Sequence, residues 1–442
     1  MLPSKLLYQN KIESSYARNF ISKIQPQNTS NFGLGQTTTI NIPCMSNQVL
    51  SGVDSVLNVR LCLKSGEATG TTFVTDSVKL DGAGIISAIQ RVRILHGSQL
   101  LSDIDSYGNL MNLLFSAQCS SDLMKNKNAI LMGAGQDGAG RSLNPSATAI
   151  DGGLHFPEYN FSIPLMTIFN LSNNYVPCWA LTSSSLRLEI QWVSTIAQFI
   201  NFPNARNIVA STASPNMFCD VSLTANFMEL SDSAMAIIQN SLQGKPVEWV
   251  VSNWANYILN TTLPNSVTNI SMAVPAKFNS LKSLLFTFRP TVSAAGNGTL
   301  GTAVFGSESL KYNLLEYDAR IGSRVIPSDK PNTVTQFYSE FLRCISSVGN
   351  LDHETNITLA MYTADTSSDT YSSKFSVGFD LESYSSVDLS KTYQGLNTST
   401  DDIFANFRFG ANAAVPAVRI DAYAYYDQLI VCQNGSVLGV SF

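Results

Sequence analysis

The sequence predicts an all-β protein made of two β-sandwich domains in tandem. Strand-like alternation recurs along the chain, the order of those strands in the first half returns in the second, and helical signals are few. Residues 38–42, 56–63, 91–95, 185–192 and 220–227 each alternate polar and apolar side chains. Successive side chains of a strand point to opposite faces, so a period-two run bounded by Gly, Asn, Pro and Ser is a half-buried strand of a sandwich or barrel. In the body of the chain helices are expected only at residues 107–115, 233–242 and 334–344. The middle one stops at Gly244 and Pro246, residue types that end a helix.

The repeat is read from order rather than identity. Asn269-Ile270-Ser271-Met272 to Pro275 follows the pattern of Ile40-Asn41-Ile42-Pro43, and Leu284 to Arg289 that of Leu57-Asn58-Val59-Arg60. Ala319-Arg320-Ile321-Gly322-Ser323 matches Val92-Arg93-Ile94-Leu95-His96-Gly97-Ser98, and each copy leads through a short apolar stretch into a helix. Val418 to Tyr425 matches Val221 to Phe227. A repeat of about 200 residues is a domain duplication, far longer than a solenoid unit. The expected organisation is an arm over residues 1–36, a first sandwich over 37–232, a helical connector over 233–247 and a second sandwich over 248–442. In the arm, Lys5, Lys11, Arg18 and Lys23 stand against Glu13, and Leu7, Tyr16, Phe20 and Ile24 recur at roughly helical spacing. That fits a segment tucked beneath a neighbouring subunit better than a basic amphipathic helix on a membrane surface.

Composition points to surfaces spent in contacts. Of the 442 residues 44% are hydrophobic but only 13% charged, about half the usual share. A domain alone in solution usually keeps more charge. The net charge of −5 opposes a nucleic-acid binder, whose phosphate-tracking surface needs a basic excess. The first twenty residues lack the continuous apolar core of a signal peptide, and no apolar run is long enough to span a membrane. Cys44, Cys62, Cys119, Cys178, Cys219, Cys344 and Cys432 are odd in number, scattered and without a CxxC pair. They read as reduced thiols inside strand-like stretches of a protein made in a cytoplasm, where the sequons at Asn260 and Asn356 would meet no glycosylation machinery.

No constellation carries catalysis, a cofactor or a metal. Gly133-Ala134-Gly135-Gln136-Asp137-Gly138 satisfies GxGxxG, but Gly140, Pro145, Gly152 and Gly153 follow, so no helix starts there to offer its amides to a phosphate. His96, His155 and His353 lie far apart, without zinc spacing. Asp103 with Asp105, and Asp401 with Asp402, could bind Ca²⁺ or act on a glycosidic bond, but no further acids join either pair, and a solvated rim is the better reading. Trp249 and Trp254 with Tyr423, Tyr425 and Tyr426 could stack a sugar, although strand spacing favours core packing. Gly/Ser/Thr/Asn-rich loops at 65–84, 133–153, 293–306 and 364–373 are long enough to be interaction elements.

Three passages add a resemblance: Phe161-Ser162-Ile163-Pro164-Leu165 with Leu181 and Leu186 to Trp192, then Phe278-Asn279-Ser280-Leu281-Lys282-Ser283-Leu284-Leu285-Phe286, then Tyr425 to Val431 with Gly435 to Val440. With the repeat, they resemble the double jelly-roll major capsid proteins of tailless icosahedral viruses: large nucleocytoplasmic DNA viruses, virophages, polinton-like viruses and lipid-containing tailless phages. The likeness runs from about residue 37 to the end. It implies two tandem eight-stranded jelly rolls with a few short helices and an N-terminal arm. It also implies a non-enzymatic subunit that forms pseudo-hexagonal homotrimers tiling an icosahedral shell. The implied partners are the chain itself, neighbouring capsomers, minor capsid and penton proteins, and an internal lipid membrane reached by the arm. The implied location is the virion, with synthesis and assembly inside the host cell, and residues 133–153 and 293–306 become outer loops. The competing expectation is a carbohydrate-binding or adhesin-like tandem β-sandwich, resting on the aromatic residues above.

Overall fold

The computed structural model describes residues 17–65, 78–135, 139–143, 149–150, 153–154, 159–169, 175–201, 208–210, 217–291, 306–345, 354–367, 371–382, 394–412 and 416–442. Eight framework strands make the first domain: β1 (Ala17–Ile24), β2 (Thr37–Ile42), β3 (Gln48–Leu61), β4 (Ile89–His96), β5 (Gln99–Asp105), β6 (Tyr159–Pro164), β7 (Leu186–Trp192) and β8 (Phe218–Leu230). They pair antiparallel in two four-stranded sheets, β1-β8-β3-β6 and β2-β7-β4-β5. The chain changes sheet at every connection except the β4–β5 hairpin and the two sheets face each other, which is the winding of a jelly roll.

The second domain contains β9 (Val247–Thr262), β10 (Thr268–Val274), β11 (Leu281–Pro290), β12 (Leu314–Ile321), β13 (Arg324–Ile326), β14 (Ser376–Asp380), β15 (Ile403–Phe409) and β16 (Ala417–Gln433). Its sheets run β9-β16-β11-β14 and β10-β15-β12-β13, the first order with every number raised by eight. A last strand, β17 (Ser436–Ser441), pairs the end of β16 beyond the start of β11. Each pair of passages matched in the sequence falls on equivalent strands: β2 and β10, β3 and β11, β4 and β12, β8 and β16. The helices after each hairpin are α1 (Tyr107–Gln118) and α3 (Val334–Cys344); between the domains lies α2 (Asp232–Leu242), capped by the Ser231 side chain.

Two expectations are corrected and a third is sharpened. Residues 17–24, assigned to an arm of helical spacing, are the first strand of the first jelly roll, in register with β8 from Ala17↔Leu230 to Ile24↔Leu223. Phe20 and Ile24 share a face at a spacing of four in either period, so the pattern could not tell helix from strand. Phe20 stacks on Phe227 at 5.5 Å. The cysteines do not cluster in strands: only Cys219 and Cys432 lie within them, although all seven are free. Finally, a short helix, Ala129–Met132, precedes the GxGxxG segment and is closed by Gly133 at φ 71°. That glycine ends a helix instead of opening one, the reverse of a phosphate loop. Most of the long-loop residues, and residues 1–16, lie outside the described residues.

Strand β11 explains why the second domain is so apolar at its centre. Leu281 to Arg289 are all buried, because one face looks into the sandwich and the other is covered in part by α3, packed on the neighbouring β14, and at Arg289 by the charged layer with Asp421 and Gly306. The covering helix comes so close that a Cβ on Gly378 of β14 would stand 2.6 Å from the Cys344 sulfur. Inside, Phe288 meets Phe407 and Phe409 edge-on at 5.2 and 5.5 Å and stacks with Phe375 at 6.1 Å. Phe288→Ala should lower unfolding stability by about 3–5 kcal/mol, read as a lower urea midpoint.

Candidate assembly surfaces and the interdomain seam

The chemistry of this molecule concentrates where the two jelly rolls meet. Strand β5 lies against β9, and their contact is polar although sealed from water. Ser102 donates to the Asn253 Oδ1 at 2.9 Å, the Asn253 amide donates to Gln428 at 2.9 Å, and Gln428 donates back to the Leu101 carbonyl at 2.8 Å. Beyond β5, Ser106 adopts a left-handed conformation, φ 49°, and turns its backbone carbonyl towards the Tyr423 hydroxyl at 3.4 Å. Its hydroxyl accepts from Arg419. On β16, Val418, Ile420 and Ala422 are core residues, while Arg419, Asp421 and Tyr423 between them line this seam. A second charged layer follows, in which Arg289 bridges Asp421 at 3.3 Å and the Gly306 carbonyl at 2.9 Å.

At the centre sits Asp81, at the end of the short strand Val78–Asp81 and almost wholly buried. Its carboxylate accepts from Gly82 N at 2.7 Å and the Asn112 amide at 3.2 Å in its own domain. From the second domain it accepts the backbone N–H of Ser307 at 2.8 Å and the Ser307 hydroxyl at 2.7 Å. The same hydroxyl accepts from Asn112 at 2.6 Å and from Lys374 at 2.7 Å. Lys374 also donates to Ser372 at 2.7 Å. The approach is tight enough to require glycine beside it, since a Cβ on Gly306 would fall 2.0 Å from the Gln198 carbonyl oxygen.

The candidate site residues are scattered. Asp103 pairs with Arg91 at 2.6 Å, Asp105 accepts from Gln90 at 3.0 Å, and Asp402 pairs with Lys277 at 2.8 Å. Trp249, Trp254, Tyr423 and Tyr426 are buried; Trp254 stacks on Tyr425 at 4.6 Å and Tyr426 on Phe278 at 3.8 Å, so no sugar platform faces solvent. His96 is buried with Nε2 3.1 Å from the Leu181 carbonyl oxygen; His155 and His353 lie outside the described residues. Among the described residues no three His, Cys, Asp or Glu side chains gather to hold a metal, and no helix is long and apolar enough to cross a membrane.

The outward faces of β2-β7-β4-β5 and β10-β15-β12-β13 carry ion-pair ladders at corresponding places. On the first, Arg93 and Arg187 both reach Glu189, at 2.7 and 3.1 Å. On the second, Lys330 meets Asp318 at 2.5 Å and Arg408 meets Glu316 at 3.4 Å, along a cleft of about 600 Å³. Such exposed pairs contribute little to stability. They give each face a patterned charge.

Paired eight-stranded jelly rolls of one topology, joined in a single chain, define the double jelly-roll class. No family model matches the sequence, and no curated protein does. Solved structures share the fold. VP54 of PBCV-1, fitted into a cryo-EM reconstruction of the virophage Sputnik, superposes with a TM-score of 0.62 at 14% identity, over 98% of this chain and 99% of that one. The Faustovirus major capsid protein gives 0.58 at 10% identity over 97% and 93%. The mavirus major capsid protein gives 0.55 at 11% identity over 99% and 94%.

Burial lowers the Lys374 ammonium from 10.5 to about 8, against the raising pull of Asp81 and Glu308. The folded state then holds this proton less tightly than the unfolded chain. Its contribution to stability is full above pH 10.5 and is lost as pH falls through about 8. Relative to Lys374→Met, the wild type should gain up to about 3 kcal/mol across that window. Urea unfolding at stepped pH reads the difference, and its slope is diagnostic because the variant also loses hydrogen bonds.

Proposed function

We propose that this chain is a viral major capsid protein with a structural, non-enzymatic role. The observation that carries the reading is the co-extensive match: the whole chain, both jelly rolls and their connection, covers nearly the whole of the similar capsid proteins. Three copies of a chain with two upright sandwiches give six sandwiches around a threefold axis, a pseudo-hexagonal tile for an icosahedral shell. The low charge supports this, because the flanks of such a tile are covered by neighbours. The polar seam supports it too, since a tile needs its two sandwiches held at one angle.

The reading places the protein in the virion, after synthesis and assembly inside a host cell. Its partners are further copies of itself, with minor capsid and penton proteins at the vertices. We assign residues 233–247 to the connection between the domains. The carbohydrate-binding alternative loses its motivation, because Trp249, Trp254, Tyr423 and Tyr426 are buried and Tyr425 is stacked on Trp254.

The purified chain should sediment at about three times its mass of 48.0 kDa and appear in negative stain as pseudo-hexagonal particles with threefold symmetry. A monomer at every concentration, with no shell-like assembly, would overturn the proposal.

A further inference from the structure

The duplicated fold repeats one structural tie with different chemistry in its two copies. In each jelly roll the chain passes between sheets twice at the same end, once after the second strand and once before the seventh. In the second domain these crossings are the β10–β11 and β14–β15 connections. Leu281 and Leu396 pair there through backbone hydrogen bonds of 2.9 and 2.8 Å. Two residues past Leu396, the Thr398 hydroxyl donates to the carbonyl of Ala276 at 2.7 Å. Ala276 lies two residues past the end of β10.

The first domain has the same arrangement. Leu50 and Val176 pair through two backbone hydrogen bonds of 3.0 Å. Two residues past Val176 stands Cys178, and two residues past the end of β2 stands Cys44. The side chains of Cys178 and Cys44 lie against each other. Where the second domain joins its crossings by a threonine hydrogen bond, the first sets two thiols side by side.

We propose that Cys44 and Cys178 are a redox pair that closes into a disulfide when the folded protein meets a peroxide, clamping the two crossings of the first jelly roll together. The division of labour follows from exposure and charge. Cys44 is partly exposed, whereas Cys178 is fully buried. Their contact holds Cys44 below the ordinary thiol range and Cys178 well above it, burial adding to the latter. Cys44, the more exposed and the more readily ionised of the two, is the nucleophile. The Cys44 thiolate attacks the peroxide O–O bond, takes one oxygen as a sulfenic acid and releases the other as water. The Cys178 sulfur then displaces that oxygen as a second water. Two thiols are oxidised by two electrons and the peroxide is reduced by two. The bond would close a loop from residue 44 to residue 178, a long span and so one where a crosslink restrains the unfolded chain strongly.

The test uses the full-length protein, reduced and then exposed to hydrogen peroxide while folded. Free thiols should fall from seven to five, and non-reducing peptide mapping should join the Cys44 and Cys178 peptides with a loss of about 2 Da. The melting temperature should rise by about 2–5 °C over the reduced protein. Cys44→Ser should abolish both changes. The wild-type comparison between redox states needs no substitution, so a poorly folding variant leaves the test intact. Cys44 ending as a sulfinic acid without a crosslink overturns the proposal, as does prior linkage of any other pair of the seven.

Discussion

The Asp81 carboxylate, shut away from water between two sandwiches, is the constraint on which the rest of the structure hangs. A buried carboxylate without donors is costly, so it must be met from every side. Gly82 and Asn112 supply donors from one domain, but only Ser307 of the other completes the set. The second jelly roll therefore has one satisfactory position relative to the first. The close approach at Gly306 and the burial of Lys374 follow from that position. Burial there disfavours the Lys374 ammonium, a cost offset by Ser307, Ser372 and the neighbouring acids.

The same requirement explains an apparent contradiction on β16. Its residues alternate as a half-exposed strand should, yet most are buried, including the unbroken run from Ile420 to Ala424. The apolar row packs the sandwich core and the polar row faces the other domain. A sheet face that would meet water in a single jelly roll meets a second protein surface here. Arg419 and Tyr423 reach Ser106 across the seam, and Asp421 pairs with Arg419 and Arg289 so that their charges are met away from water.

What the sequence showed depended on how locally each feature is determined. Strand positions and their repeated order were legible, since alternation and turn residues act over a few positions. At β1 the signal was ambiguous: Phe20 and Ile24 satisfy both periods, and a basic flank resembling an arm tipped the reading towards helix. The seam was not legible at all. Asp81, Ser307 and Lys374 are more than sixty residues apart in pairs and sit in segments rich in Ser, Thr and Gly, where one more polar residue carries no information. The faintest trace is Lys374 itself, a lone charge between two serines and Phe375. The aromatic residues on β9 and β16 were read correctly as packing residues, because strand spacing alone puts them under a sheet.

A polar seam also has a consequence that an apolar one would lack. Apolar surfaces tolerate sliding, since burial is non-directional and a shifted contact keeps most of its energy. Hydrogen bonds weaken steeply when bent, so a shift at the Asp81–Ser307 contact loses several buried bonds together. Such a joint favours one angle between the two sandwiches. The duplicated jelly roll supplies two similar bodies, and the buried carboxylate ties one to the other.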